Sequence, residues 1–337
     1  MNTKRWIALV SAAVLLFFSL GLNTIMSLFK TDFFSSFESA FDVTESTVYE
    51  TPIENGAMDN RIALVSVEGT ILDVGSGSWW EEVQYNHQGF MAQLDSILND
   101  DTVKGVVLEV NSPGGGVIES AEIHEKLVQI KEQREIPIYV SMGTYAASGG
   151  YYIAAPADKI FAQKETITGS IGVIMQAINY EELAEKVGIK FETIKSGQHK
   201  DMLGGSRAST EEEKAMLQEI IDESYEDFVD VIEQGRGMTE AEVKAVADGR
   251  ILGGTQAVRA GLVDDIGKLD DTIAALRADY GLEEAQLFEY TTTNDSLGSL
   301  LGVKISSLFG PSQEEQLVQK ILSTSNSPRM MYLYGEY

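Results

Sequence analysis

Apolar and polar positions divide the chain into regions of different character. Residues 1–5 are short and basic (Lys4, Arg5), and Trp6 to Phe29 is almost wholly apolar. A helix of roughly 20 such residues spans the hydrocarbon core of a bilayer. No small-x-small cleavage site follows before the Phe-rich stretch at Phe33, Phe34 and Phe37, so the pattern predicts a retained anchor rather than a cleaved signal peptide. Lys4 and Arg5 precede the span and Asp32, Glu38 and Asp42 follow it, which puts the N-terminus in the cytoplasm and the body outside. Residues 31–60 are Ser/Thr/Glu-rich with scattered aromatics and read as a juxtamembrane linker.

From Arg61 the apolar spacing takes on an α/β rhythm. Ile62 to Val67 reads as a strand, Phe90 to Leu98 as a helix, and Val103 to Val110 as a buried strand. Asn111-Ser-Pro-Gly-Gly-Gly116 then turns into a helical pattern from Val117 to Glu132, carried by Ile123, Leu127 and Ile130. A second strand, turn and helix follow: Ile136 to Ser141, a turn at Ser148, and a small-residue helix, with a further strand at Lys159 to Ala162. Such alternation predicts parallel strands joined by crossover helices. Beyond it, Tyr180 to Val187 reads as a helix, Phe191 to Lys195 as a strand and Ser196 to Asp201 as a loop. Glu211 to Glu233 reads as a long amphipathic helix opened by a Ser209-x-x-Glu212 capping box, with Leu217, Ile220, Ile221, Phe228 and Ile232 inward. A second box, Thr239-x-x-Glu242, opens the next helix. The domains are therefore an anchor (1–30), a linker (31–60), an α/β body (61–290) and a C-terminal tail (291–337) that ends near the apolar run Met330 to Tyr334.

Composition narrows the chemistry. The net charge of −27 disfavours nucleic acid, which needs clustered Lys and Arg. There are no cysteines, which removes a thiol nucleophile, disulfides and thiolate metal sites. The three histidines (His87, His124, His199) show no HExxH spacing, so neither a metal nor another cofactor is expected.

The most informative stretch is Ser141-Met-Gly-Thr-Tyr-Ala-Ala-Ser-Gly-Gly-Tyr-Tyr-Ile-Ala-Ala155. Ser148 sits between a buried strand and a helix start, flanked by residues small enough to admit another backbone. A nucleophile there would have free N–H groups beside it. Gly114 or Gly115, with Gly149, are natural oxyanion donors. No GxSxG elbow surrounds the serine, which disfavours an α/β-hydrolase. A serine hydroxyl needs a base. His199 and Lys200 share a loop after the 191–195 segment, and the residues alone leave both open.

Four motifs, Asn-Ser-Pro-Gly-Gly-Gly (111–116), Ala-Ala-Ser-Gly-Gly-Tyr-Tyr-Ile (146–153), Thr-Gly-Ser-Ile-Gly-Val (168–173) and Lys-Ser-Gly-x-x-Lys-Asp (195–201), occur in order. With Asp248-Gly-Arg-Ile-Leu-Gly-Gly downstream, the chain resembles the bacterial signal peptide peptidase A family (peptidase family S49), in its short Gram-positive form. The resemblance implies a ClpP/crotonase-like fold of repeated ββα units, preceded by one transmembrane helix. It implies a Ser/Lys dyad with Ser148 as nucleophile, Lys200 as general base and Ser170 orienting the lysine amine. It further implies a dome-like homo-oligomer, such as an octamer, on the extracytoplasmic face of the cell membrane, cleaving remnant signal peptides and other apolar peptides. The rival readings are a crotonase-type acyl-CoA enzyme and a non-catalytic membrane scaffold.

Overall fold

The computed structural model describes residues 47–73, 85–293 and 329–335. The segment read as a transmembrane anchor lies outside the described residues. Among the described residues, no helix is long and apolar enough to cross a membrane.

Parallel strands dominate because the chain keeps crossing back over one sheet. Strands β1 (Thr47–Glu54), β2 (Ala57–Glu68), β3 (Val103–Ser112), β5 (Ile138–Ala147), β6 (Lys159–Ala162), β9 (Asp265–Ile266) and β10 (Ala285–Thr293) take the order β1-β10-β2-β3-β5-β6-β9. All neighbours from β10 to β9 are parallel, and β1 runs antiparallel at one edge. β7 (Ile167–Gly169) continues alongside the far end of β5, and β8 (Ile251–Gly253) pairs with β7. A second, two-stranded sheet joins β4 (Gly114–Gly116) to β11 (Met331–Leu333).

The continuous apolar runs of β2, β3 and β5 are explained by burial on both faces. Val106, Leu108 and Val110 of β3 point into one core with Ala63, Val65 and Val67 of β2 and Ile138, Val140 and Met142 of β5. The intervening residues Ile62, Leu64, Val107 and Tyr139 point into a second core. Helices α1 (His87–Asn99) and α2 (Val117–Arg134) contribute Phe90, Leu94, Ile97, Ile123, Leu127 and Ile130 to the first core. α3 (Gly149–Ala154) and α5 (Glu211–Arg236) complete it, while α8 (Leu269–Tyr280) covers the second core with Ile273 and Leu276. The short helices α4 (Glu181–Lys186), α6 (Glu240–Lys244) and α7 (Gly254–Arg259) lie between them in sequence.

Three local expectations need correction. Part of the stretch read as linker, residues 47–54, is strand β1, which lies along β10, and its Glu50 pairs with the buried Arg61 guanidinium. Residues 191–195 form no strand, because nothing pairs with them: Phe191 is 48% and Ile194 97% exposed. The long helix is capped one residue later than expected, by Thr210 with Glu213, and its inward residues are concentrated in its second half. Phe228, Val229 and Ile232 are buried there, whereas Ile220 is 42% exposed. The Thr239–Glu242 box caps α6 as the spacing predicts.

Candidate active site

β5 delivers Ser148 to the C-terminal edge of the sheet, where ligands of open parallel sheets generally bind. The strand ends at Ala147, and Ser148 turns the chain into α3 with φ 54° and ψ −116°. A positive φ at a residue with a Cβ is strained, and such strain persists only where the surroundings over-determine it. Here the Ser148 N–H donates to the Gly169 carbonyl at 2.8 Å, and its carbonyl accepts from Tyr151 and Tyr152 at 2.9 Å. The two glycines that follow are sterically required. A methyl on Gly149 would stand 2.6 Å from Ser120 Oγ, and one on Gly150 2.7 Å from the Ser112 carbonyl oxygen. Ser148 itself is 1% exposed.

Register brings Ser170 to the same place. Ala147 is paired with Gly169 in the parallel β5–β7 ladder, so the next residues, Ser148 and Ser170, leave the sheet together. Ser170 is nearly buried, has φ 50° and donates its N–H to the Arg250 carbonyl at 2.7 Å. Thr168 secures the same edge by donating its hydroxyl to the Ala146 carbonyl at 2.6 Å.

The glycine turn forms the opposite wall. Ile71 flanks Gly114–Gly116 on one side, donating to Gly114 and accepting from Gly116 at 2.9 and 2.8 Å. On the other side lies β11, antiparallel, with Met331, Tyr332 and Leu333 opposite Gly116, Gly115 and Gly114. Tyr334 N–H continues the ladder to the Pro113 carbonyl at 2.8 Å. On its far side, Met331 exchanges both backbone hydrogen bonds with Ile174, at 2.9 and 3.0 Å. The C-terminal segment is thus an extended chain held between two backbone edges. A methyl on Gly114 would lie 2.0 Å from the Tyr332 carbonyl oxygen and 2.6 Å from the Gly149 nitrogen. The Tyr332 carbonyl, the glycine turn and the N–H after Ser148 therefore share one small volume. The Tyr332 ring is buried, stacked on Tyr152 at 4.9 Å and tilted against Phe228 at 4.7 Å, with its hydroxyl donating to the Ser224 carbonyl at 2.9 Å.

The base candidates are distributed differently. The His87 ring meets the Tyr85 hydroxyl at 2.9 Å and Glu122 at 2.7 Å. His124 lies edge-on to Tyr152 at 5.3 Å, and burial lowers its pKa to about 4. His199 faces Glu213 at 3.4 Å. None of the three hydrogen-bonds Ser148. Lys200 is exposed, and among the described residues its amine makes no hydrogen bond or ion pair within the single chain. The chain thus groups Ser148, Ser170, Gly114, Gly115 and Gly149, and leaves Lys200 on an exposed loop. No group of His, Asp or Glu with the makings of a metal site occurs among the described residues.

The family model for "Peptidase family S49" matches residues 130–283, which include Ser148, Ser170 and Lys200. An Enterococcus faecium protein named "Putative signal peptide peptidase SppA" is 43% identical over 99% of both chains. The chain belongs to peptidase family S49. As a member of S49 it is a serine peptidase, and it shares 31% identity over 84% of its length with "Protease 4" of Haemophilus influenzae, about half of which it covers (48%). It is also 31% identical, over 74% of its length, to "Serine protease SPPA, chloroplastic" of Arabidopsis thaliana, of which it covers 37%. Sequence reasoning located the S49 motifs but missed the wall supplied by Ile71. The apolar run Met330 to Tyr334 reads in the sequence as a substrate-like segment able to enter the cleft, and Met331–Leu333 lies along the glycine turn, an edge that the sequence did not specify.

Proposed function

We propose that this S49 peptidase is a membrane-anchored endopeptidase that cleaves remnant signal peptides and other apolar peptides with a Ser148/Lys200 dyad. The observation that carries the reading is the extended backbone of residues 331–334 running along the Gly114–Gly116 edge beside Ser148. A peptide substrate placed the same way puts a carbonyl between Ser148 and the Gly149 N–H. The sheet of parallel strands fits a ClpP/crotonase-like arrangement, and the name of the Enterococcus faecium relative supports signal peptides as the substrate class.

In this mechanism the neutral Lys200 amine takes the Ser148 hydroxyl proton as Oγ attacks the carbonyl carbon. The N–H of Gly149, with that of Gly114 or Gly115, holds the developing oxyanion, a contribution worth about 3–4 kcal/mol per donor in serine peptidases. The Lys200 ammonium returns the proton to the departing amine, and water then releases the acyl group from Ser148. Ser170, leaving the sheet beside Ser148, orients the lysine amine.

Lysine acts as a base only when its surroundings are dry. Lys200 is exposed in the single chain, so the loop that carries it must be covered during catalysis. Exposed apolar side chains on the same stretch, Ile178, Leu183, Val187, Ile189 and Ile194, support cover by further copies in a homo-oligomer. An N-terminal anchor with the body on the extracytoplasmic face would hold this assembly beside peptides left in the bilayer.

The test compares wild type, Ser148→Ala and Lys200→Ala on a quenched signal-peptide substrate, after all three are shown to fold and assemble alike. Both variants should lose several orders of magnitude in rate. Activity retained by Lys200→Ala but lost by His199→Ala would move the base to histidine. Intact-mass measurement of the full chain adds a second arm: wild type should lose residues after Tyr332, and Ser148→Ala should keep its complete C-terminus. An intact wild-type end on active protein would exclude the tail as a substrate.

A further inference from the structure

The loop that carries Lys200 lacks a hydrophobic reason to hold its shape. Every residue from Glu185 to Gln198 is exposed, and the backbone bonds across residues 197–204 are single turns: Lys200 to Gly197, Met202 to His199 and Gly204 to Asp201, each 3.2 Å. Charged side chains fix it instead. Arg207 lays its guanidinium between Asp201 and Glu213, with Nη2 at 2.5 Å from Asp201 Oδ1 and 2.6 Å from Glu213 Oε1, and Nη1 at 2.8 Å from Glu213 Oε2. Lys195 reaches Asp201 at 2.7 Å from the other side. Glu213 is 1% exposed and immobilised, because it also accepts the Thr210 N–H at 2.9 Å in the capping box of α5. Hydrogen bonds from Arg207, then Thr210, hold its pKa at about 2, and those from Arg207 and Lys195 keep Asp201 below the usual carboxylate range. Both carboxylates are therefore ionised wherever the enzyme works.

Lys200 stands between the two residues this cluster grips. On one side His199 meets Glu213, and on the other Asp201 meets Arg207 and Lys195. The amine between them is left unengaged. We infer that Arg207 is a positioning residue for the general base: by bridging Asp201 to the fixed Glu213 it sets the path of residues 199–201, and it offsets two carboxylates that would otherwise act on the Lys200 amine. The inference rests on the reading of Lys200 as base and concerns what makes that lysine usable.

The groups facing the Lys200 segment are Lys195, His199 and Asp201 on the loop, Arg207 after it, and Glu212 and Glu213 at the start of α5. Removing Arg207 takes the arginine charge from both carboxylates, leaving Asp201 with Lys195 alone and Glu213 without a guanidinium partner. A nearby negative charge stabilises the ammonium, so the lysine would release its proton at higher pH. The acidic limb of the kcat profile should then move to higher pH in Arg207→Ala, and kcat at neutral pH should fall about 10- to 100-fold from lost charge balance and placement. KM should stay within about twofold of wild type, since uniform binding is untouched. Adding Asp201→Asn to Arg207→Ala removes one of the two negative charges and should bring the limb back towards its wild-type position.

The experiment measures kcat and KM against pH for the full chain on the quenched signal-peptide substrate, in wild type, Arg207→Ala, Arg207→Ala with Asp201→Asn, and Lys200→Ala. An alkaline shift of the limb that the second substitution reverses supports the inference. An unmoved limb, whether or not kcat falls, overturns it and reduces Arg207 to a structural role. If Arg207→Ala does not fold, the same profile is taken on Arg207→Lys, which keeps the charge but cannot bridge both carboxylates: a lowered kcat with an unmoved limb and unchanged KM supports the placement role, and wild-type kinetics overturn it. Wild-type activity in Lys200→Ala would instead defeat the base assignment, whatever Arg207 does.

Discussion

His124 offers a stability prediction whose size follows from its surroundings. Its ring is packed edge-on against Tyr152 beneath the serine turn, and burial lowers its pKa from 6.5 to about 4. In the unfolded chain the ring gains a proton as pH falls through its ordinary value, while in the folded chain it stays neutral down to about 4. The unfolded state therefore binds more protons throughout that window, and stability falls with falling pH across it. At about pH 5 the unfolded ring is nearly all protonated and the folded ring about a tenth so, which corresponds to a loss of about 2 kcal/mol relative to pH 8. His124→Gln removes this proton uptake and leaves every other titrating group in place. Urea unfolding of wild type and His124→Gln at about pH 5 and pH 8 gives the difference of differences, in which shared carboxylate effects cancel. Wild type should lose about 2 kcal/mol more than the variant on acidification. Equal losses would refute the reasoning, and a smaller loss in wild type would reverse its sign.

Other perturbations have equally definite outcomes. Gly149→Ala places a methyl 2.6 Å from Ser120 Oγ in the turn proposed to supply an oxyanion donor, so on that reading kcat should fall by at least about 100-fold while thermal unfolding changes much less. Phe228→Ala empties the centre of the Tyr152–Phe228–Tyr332 ring cluster, and denaturant titration should show a loss of about 3–5 kcal/mol. Arg61 is 7% exposed, lies over the Phe288 ring at 4.2 Å and is paired with Glu50 and Asp100. Arg61→Ala removes both ion pairs and the packing on Phe288 while Asp100 keeps its bonds from Thr102 and Tyr290, and should cost about 2–3 kcal/mol in the same titration. Tyr332→Ala removes the buried ring that seats the C-terminal strand, and the apparent KM for an added apolar peptide should drop as the cleft empties. An unchanged KM would mean that the strand does not compete with substrate.

Much of the sheet was readable because its physics is periodic. β3 and β5 show as continuous apolar runs, since alternate residues such as Val106 and Val107 enter different cores, and the glycine and serine turns announce themselves by residue type. What stayed hidden depends on partners distant in the chain. Residues 47–54 become a strand only because Tyr290 and its neighbours lie opposite. Phe191–Lys195 has strand-like composition but no edge to join. The first half of α5 has the spacing of an amphipathic helix without a core to face, so Ile220 and Met216 are exposed. At the site, the turns that carry Ser148 and Gly114, Gly115 and Gly149 were legible from their small residues. The pairing of Gly115 with Tyr332 was not, because nothing local specifies which backbone a glycine edge will accept.

That edge has a consequence for which proteins are at risk. The space between Gly114–Gly116 and Ile174 accommodates a single strand, and it is closed on both sides by main-chain groups. An incoming chain must bring its own N–H and C=O groups unspent. A correctly folded neighbour has already committed those groups to its own helices and sheets, and it would have to unravel locally before it could enter. A stray fragment carries no such commitment. If substrates enter this cleft as the tail does, discrimination between debris and working proteins resides in the hydrogen-bonding state of the backbone.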